Sequence, residues 1–599
     1  MPAMHHALPT RFGTALDPEK VLTEYPRPQM RRESYLNLNG RWDCAITAYD
    51  ETPASYTGTI LVPFSPESPL SGVNHLLLPD ERLWYRRRMS LPAGFYDPAK
   101  GDRVLLHFGA VDQTATVFAN GVEVAHHVGG FTPFSADLTE ALAGGDDLTI
   151  VVRVRDVTDT SYHSRGKQKM KPGGIFYTPQ SGIWQTVFLE RVPKTHIRSL
   201  RITPLFDEAM VELRVRTSRP CACIARAAGQ EITFSSGAAC RIPMKEFRAW
   251  SPEDPYLYDL SVLAGEDRVE SYFAMRKFSV GVDGQGVPRL KLNNAPYFHS
   301  GVLDQGYWSD GMLTAPSDEA MVYDIETMKR MGFNMLRKHI KLEPLRWYYH
   351  CDRLGMLVWQ DMPNGGGRYG KLAVSAPLVT GRHKKDDDYD YFARGDIAGR
   401  EEFYLELTET VETLYNCPCV AMWTPFNEGW GQFDAAEAVR RIRALDNTRT
   451  IDHASGWHDQ GVGDVRSLHV YFKPYRFRED TEGRAVVLSE FGGYNLRLAE
   501  HSVSGRNFGY RKYRTAEALS DAVQRLYLRE ILPAVPEGLC AAVYTQLSDV
   551  EEEVNGLLTY DRAVEKIPAE VMRRINGQLY GSLREPAETE PEPAEPETT

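Results

Sequence analysis

Between residues 283 and 578 short apolar runs alternate with stretches of helical periodicity, and this rhythm constrains the fold more than any other feature of the 599-residue chain. The runs are PYFHSGVL (296–303), FNMLRKHI (333–340), MLVWQDM (356–362), VAMWTPFN (420–427), RTIDHAS (449–455), SLHVYF (467–472), AVVLSEF (485–491) and LCAAVYTQL (539–547). Helical stretches such as SDEAMVYDIETMKRMG and DAAEAVRRIRALD lie between them, as in βαβ units. Eight strand-helix units in just under 300 residues predict a (β/α)8 TIM barrel rather than an open sheet. The segment 364–396 is expected to be a long loop at a strand's C-terminal end.

The chain before the barrel follows a different period. Runs such as LWYRRRMSL, LTIVVRVRD and WQTVFLERV alternate apolar with polar residues. In RVLLHFGAVDQTATVFANGVEVAHH the Asn120-Gly121 pair predicts a tight hairpin, because both residues tolerate positive φ. Residues 1–192 are therefore expected to form a jelly-roll β-sandwich, and 193–282, with HIRSLRITPLF, MVELRVRT, EITFSS and LYDLSVLAG, a smaller immunoglobulin-like β-sandwich. The barrel is expected over 283–578, and 579–599 as an acidic Pro/Glu-rich disordered tail. From Glu585 that tail has six glutamates and no large apolar side chain, so it cannot offset its ordering entropy.

Composition excludes several classes. The formal net charge is −12, half of it in the tail glutamates, which argues against a dedicated nucleic-acid binder. No run reaches the roughly 18–20 apolar residues that cross a bilayer, and the first twenty residues lack the apolar core of a secretory signal. A cytoplasmic protein is expected, with its eight cysteines as thiols. Cys221/Cys223 and Cys417/Cys419 suit neither zinc nor redox spacing. The oligomeric state stays open, a homo-oligomer included.

In such barrels chemistry sits at the C-terminal strand ends. The polar residues there are Arg337 and His339, Asp361, Asn427 and Glu428, His453, His469 and Tyr471, Glu490, and Tyr544 and Gln546. Glu428 and Glu490 each end an apolar strand, 62 residues apart, which fits the fourth and seventh strands. Two carboxyl groups facing each other across a mouth can cleave a glycosidic bond if their pKa values are driven apart. Arginine pairing or helix capping explains either glutamate alone, but two at matching strand ends fit a catalytic pair better. His453, His458 and His469 lack a metal-ligand spacing, Lys384 to Asp388 reads as a solvated loop, and GGGR (365–368) is no phosphate loop.

The sequence NCPCVAMWTPFNE (416–428), the strand NMLRKHI (334–340), and the N-terminal stretches NLNGRWD, FGAVDQTATVFANGVEV and SGIWQTVFLE resemble glycoside hydrolase family 2. That resemblance, to the family of β-galactosidases, β-glucuronidases and β-mannosidases, runs to about residue 578. It implies a retaining double displacement with Glu428 as acid/base and Glu490 as nucleophile, and no cofactor. It further implies that Asn427 holds the sugar's 2-hydroxyl, that Tyr471 and Arg337 serve the nucleophile, and that His339 and Asp361 contact sugar hydroxyls. Trp430, beside the Glu428 turn, is the expected aromatic contact; Trp308 and Trp457 are left open.

The chain departs from the family pattern in His339-Ile340-Lys341, where His-Tyr-Pro is common, and in Cys417, which replaces a usual histidine. Asn555 has no lysine two residues on, as the β-glucuronidases do, and Asp549, Glu551, Glu552 and Glu553 suggest an acidic mouth. The expected protein is a retaining exo-β-glycosidase acting on a carbohydrate, with β-galactosidase the preferred specificity. β-Mannosidase and arabinosidase are alternatives, β-glucuronidase is disfavoured, and a non-catalytic carbohydrate-binding protein is the rival from another class.

Overall fold

The computed structural model describes residues 8–374, 377 and 383–583. The alternating runs form a sandwich. A six-stranded antiparallel sheet contains Gly40–Thr47, Gly58–Val62, Arg82–Ser90, Thr114–Ala119, Val122–Val128 and Asp147–Arg155. A four-stranded antiparallel sheet contains Tyr35–Asn37, Arg103–Phe108, Phe134–Asp137 and Val187–Val192. Along Asp147–Arg155 every second side chain, Leu148, Ile150, Val152 and Val154, is buried, and these pack with Leu106 and Leu189 of the facing sheet. Each such side chain is worth about 1.5–3 kcal/mol when fully buried. The predicted hairpin turns at Asn120 and Gly121 with φ of +48° and +83°, the left-handed pair that a type I′ turn needs.

Residues 197–273 form a second sandwich from a three-stranded and a four-stranded antiparallel sheet. Arg32 joins the two sandwiches by donating to Glu190 (3.1 Å) on one and Asp267 (2.8 Å) on the other. Asn416 ties the second sandwich to the barrel, its side chain accepting from Ile202 N and donating to Leu200 O, both at 2.8 Å. The hairpin of Phe278–Val282 with Pro288–Leu292 straddles residue 282, and its Phe278, Leu290 and Leu292 belong to the barrel's core.

All eight predicted barrel runs contain a strand. They are β1 (His299–Asp304), β2 (Met335–Lys338), β3 (Leu357–Asp361), β4 (Val420–Thr424), β5 (Thr450–Ile451), β6 (Val465–Val470), β7 (Ala485–Gly492) and β8 (Leu539–Thr545). They pair in parallel in the order β5-β4-β3-β2-β1-β8-β7-β6. Among the described residues no ladder closes β5 on β6, because β5 has only two residues. Single bonds span the gap, Asp464 N to Ile451 O (2.9 Å) and Ser455 Oγ to Ser467 Oγ (3.3 Å). The barrel is thus nearly closed. β3 and β7 are buried along their whole length, as strands covered on both faces must be.

The helices outside are α1 (Asp318–Arg330), α2 (Leu345–Leu354), α3 (Ile397–Leu414), α4 (Ala435–Leu445), α5 (Ala516–Leu526) and α6 (Ala569–Ser582). Ser317 caps α1, its Oγ accepting from Ala320 N at 3.2 Å. Eight full strand-helix units are not present, since 452–464 and 471–484 connect their strands without a helix. The expected tail also begins later: Leu579 is buried in α6, so 579–582 is helical, and 584–599 lies outside the described residues. All eight cysteines are free thiols, seven of them buried. No helix among the described residues is long and apolar enough to cross a membrane.

Candidate active site

The C-terminal ends of β2, β4, β6 and β7 bring most of the predicted residues together. Past β4 the chain stays extended long enough for Glu428 N to donate to Ser455 O (3.0 Å), and Glu428 then adopts φ +50°. A non-glycine residue in the left-handed region costs about 1–3 kcal/mol, strain that concentrates at functional sites. Glu490 enters from β7. One oxygen of Glu428, one nitrogen of His469 and one oxygen of Glu490 all lie within 4.8 Å of one another.

The two carboxyl groups have different surroundings. Burial pushes Glu428 above the usual carboxylate range, and the nearby Glu490 charge adds to this against the opposing bond from His469. Burial also opposes ionisation of Glu490, but His469, the Arg337 guanidinium and the Tyr471 hydroxyl outweigh it and hold its pKa low. Arg337 Nη1 donates to Glu490 Oε1 at 3.1 Å, and the Tyr471 hydroxyl donates to Oε2. Burial, with Glu490 beside it, keeps Tyr471 a neutral donor. The pair is therefore poised as one acid and one carboxylate.

Arg337 is fully buried and serves as the hub of the site. Besides Glu490 it contacts Asp361 (2.9 Å) and donates to Asn427 Oδ1 (2.8 Å) and Ser489 O (3.1 Å). Because its oxygen faces Arg337, Asn427 turns Nδ2 the other way, and that buried nitrogen has no partner among the described residues. An unmade bond of this kind costs about 1–3 kcal/mol and marks a donor awaiting an acceptor.

Asp361 does not reach the pocket. Its oxygens are taken by Arg337 and by His339 Nδ1 (2.7 Å), so it orients those two groups. His339 lines the pocket, and burial, with Lys167 and Arg337 nearby, favours its neutral form.

Asn427, Glu428, Tyr471 and Glu490 line one shared pocket at the barrel mouth. Trp430 also lines it, 3% exposed and edge-on to His339. Trp308 instead packs on Phe12 and Arg562. His453 pairs with Asp459, and His458 bonds Lys384 N and Ala373 O, so neither joins His469. Glu428, His469 and Glu490 are the one group among the described residues close enough to share a metal ion, and an ion there would occupy both carboxylates. Asp386 departs from a solvated-loop reading, being buried and accepting from Ala435 N at the start of α4 (3.0 Å).

Sequence reasoning missed Tyr510 and Lys167 in the pocket, placed Glu553 at the mouth, and left the neighbouring His469 without a role. Tyr510 stacks on Tyr471 with ring centroids 3.7 Å apart, and Glu553 and Lys167 also line the space. His469 was visible as a strand-end residue, but its bond to Glu428 was not. The acidic mouth expected from residues 549–553 is mostly absent. Asp549 pairs with buried Lys566, Glu553 accepts from Tyr177 and Asn555, and of the four only Glu553 lines the pocket.

Two family models match the chain: "Glycosyl hydrolases family 2, sugar binding domain" over residues 75–193 and "Glycosyl hydrolases family 2, TIM barrel domain" over 290–491. The chain belongs to glycosyl hydrolase family 2. The barrel match covers the strands that carry both glutamates.

Relatives of different specificity resemble this family 2 chain. A β-galactosidase of Thermoanaerobacter pseudethanolicus is 23% identical over 61% of this chain and 47% of its own length. A β-glucuronidase of Paenibacillus borealis is 23% identical over 62% of each. The alignments thus span under two thirds of either relative. Among solved structures, a β-glucuronidase from an uncultured Clostridium superposes over 92% of this chain and 99% of its own with a TM-score of 0.70 at 18% identity. A β-galacturonidase from Eisenbergiella tayi bound to galacturonate covers 94% and 99% with a TM-score of 0.67 at 17% identity. At these identities the likeness speaks for the fold.

Proposed function

We propose that the chain is a retaining exo-β-glycosidase. The observation that carries the proposal is the Glu428–Glu490 pair, with one oxygen of each within 4.8 Å of the other and pKa values pushed in opposite directions. Retaining enzymes hold their carboxyl groups about 5–5.5 Å apart, whereas inverting enzymes leave about 6.5–9.5 Å for a water.

In the first step Glu428 gives its proton to the glycosidic oxygen while Glu490 attacks the anomeric carbon, and the aglycone departs. In the second, Glu428 takes a proton from water as that water's oxygen displaces Glu490 from the sugar. Asn427 Nδ2 supplies a donor for the 2-hydroxyl, where a bond strengthens as charge develops at the neighbouring carbon.

A galacto-configured sugar is the first specificity to test, as expected from the sequence and supported by the relatives named β-galactosidases. Turnover of 4-nitrophenyl glycosides tests the reading. Glu490→Gln should abolish it, and the first-formed sugar seen by NMR should keep the β-anomer. Inversion, or full activity in Glu490→Gln, would refute the mechanism.

A further inference from the structure

Lys167 is 5% exposed and lines the same pocket as Glu428 and Glu490, yet it belongs to the first sandwich. The loop that carries it is clamped to the barrel. Arg165 N and Gly166 N both donate to Asn364 O of the barrel, at 2.9 and 3.1 Å, while within its own domain Lys167 O accepts from Tyr177 N at 2.9 Å. Gly166 has φ +62°, and a Cβ there would lie 3.1 Å from Ile340 O, so glycine permits this close approach to the mouth.

Among the described residues the Lys167 ammonium has no carboxylate or hydrogen-bond partner. Two aromatic rings flank it, with Nζ 5.6 Å from the Tyr177 ring centre and 5.7 Å from that of Trp430. Cation–π contacts offset only part of the loss of water around a buried ammonium, and the remainder is recovered when an anion binds. Arg337 cannot play this part, since Asp361, Glu490 and Asn427 already occupy its guanidinium.

We infer that Lys167 binds a carboxylate on the terminal sugar, so that the substrate is a β-hexuronide rather than a neutral β-hexoside. This rests on the exo-β-glycosidase reading and specifies the sugar. It also fits the acid: Lys167's charge lowers the Glu428 pKa, and a substrate carboxylate beside Lys167 would cancel that effect.

The test compares 4-nitrophenyl β-D-galacturonide and β-D-glucuronide with the matching galactoside and glucoside. The wild-type protein should prefer a uronide in kcat/KM. Lys167→Met should shift the uronide-to-neutral ratio by roughly 10- to 100-fold toward the neutral sugar, and Lys167→Arg should keep the wild-type preference. Preference for a neutral glycoside, or equal losses on both classes in Lys167→Met, would overturn the inference while leaving the exo-β-glycosidase reading intact. If no glycoside were cleaved, that reading would fail instead. Binding of free galacturonate and glucuronate, measured by calorimetry, still tests Lys167: affinity in the wild type that Lys167→Met loses supports it, and no affinity refutes it.

Discussion

His469 Nδ1 lies 2.8 Å from Glu428 Oε1, and Nε2 of the same ring lies 3.0 Å from the Ser455 hydroxyl. That hydroxyl continues to Ser489 (3.0 Å), which also bonds Ser467 (2.6 Å). The proposed acid/base is therefore held through an imidazole by a buried chain of serines.

The proposed mechanism needs Glu428 protonated and Glu490 ionised, so a bell-shaped dependence of kcat/KM on pH is expected. Activity falls at high pH as Glu428 loses its proton and at low pH as Glu490 gains one. His469 lowers the pKa of both carboxyl groups. In His469→Ala both limbs should move to higher pH, and a loss of turnover with an unmoved profile would refute the role.

The unpaired Nδ2 of Asn427 predicts that Asn427→Ala costs roughly 10- to 100-fold in kcat/KM on a 2-hydroxy substrate. On the matching 2-deoxy glycoside the cost should be much smaller. Equal losses on both would assign Asn427 to holding Arg337 alone.

Arg32 is buried between Glu190 and Asp267 on the two sandwiches. Arg32→Ala leaves buried Asp267 without its cation, while Glu190 keeps Arg27, at a cost of about 3–5 kcal/mol. Urea unfolding measures this, and a loss below about 1 kcal/mol would show that the pair contributes little there.

Glu406 on α3 is buried against Ser164 of the first sandwich, and burial, with Glu402 beside it, pushes its pKa up to about 8 from 4.5. Between those values the folded protein holds a proton that the unfolded chain has released, so this group's contribution to stability falls as pH rises through the window. Glu406→Gln should flatten that part of the slope of unfolding free energy against pH. An unchanged slope between pH 5 and pH 8 would refute it.

The strand runs were legible because burial on both faces writes apolar residues at nearly every position, as in β3 and β7. The two glutamates were legible because a charged residue ending such a strand needs a reason to be there. β5 shows the limit: its run suggested a full strand, and only two residues pair. The helix-free links at 452–464 and 471–484 were equally hidden, since short irregular connections leave no period to read.

By itself the sequence determined the two sandwiches, the barrel and the identity of the paired acids, because periodicity and strand-end chemistry are local properties. Tertiary structure decided how those acids differ. His469, Arg337 and Tyr471 come from separate strands, and the pKa of a carboxyl depends on which charges and donors are within a few ångströms. Lys167 is the extreme case: 261 residues separate it from Glu428 along the chain, and only the docking of one domain's loop on another brings its charge to the pocket.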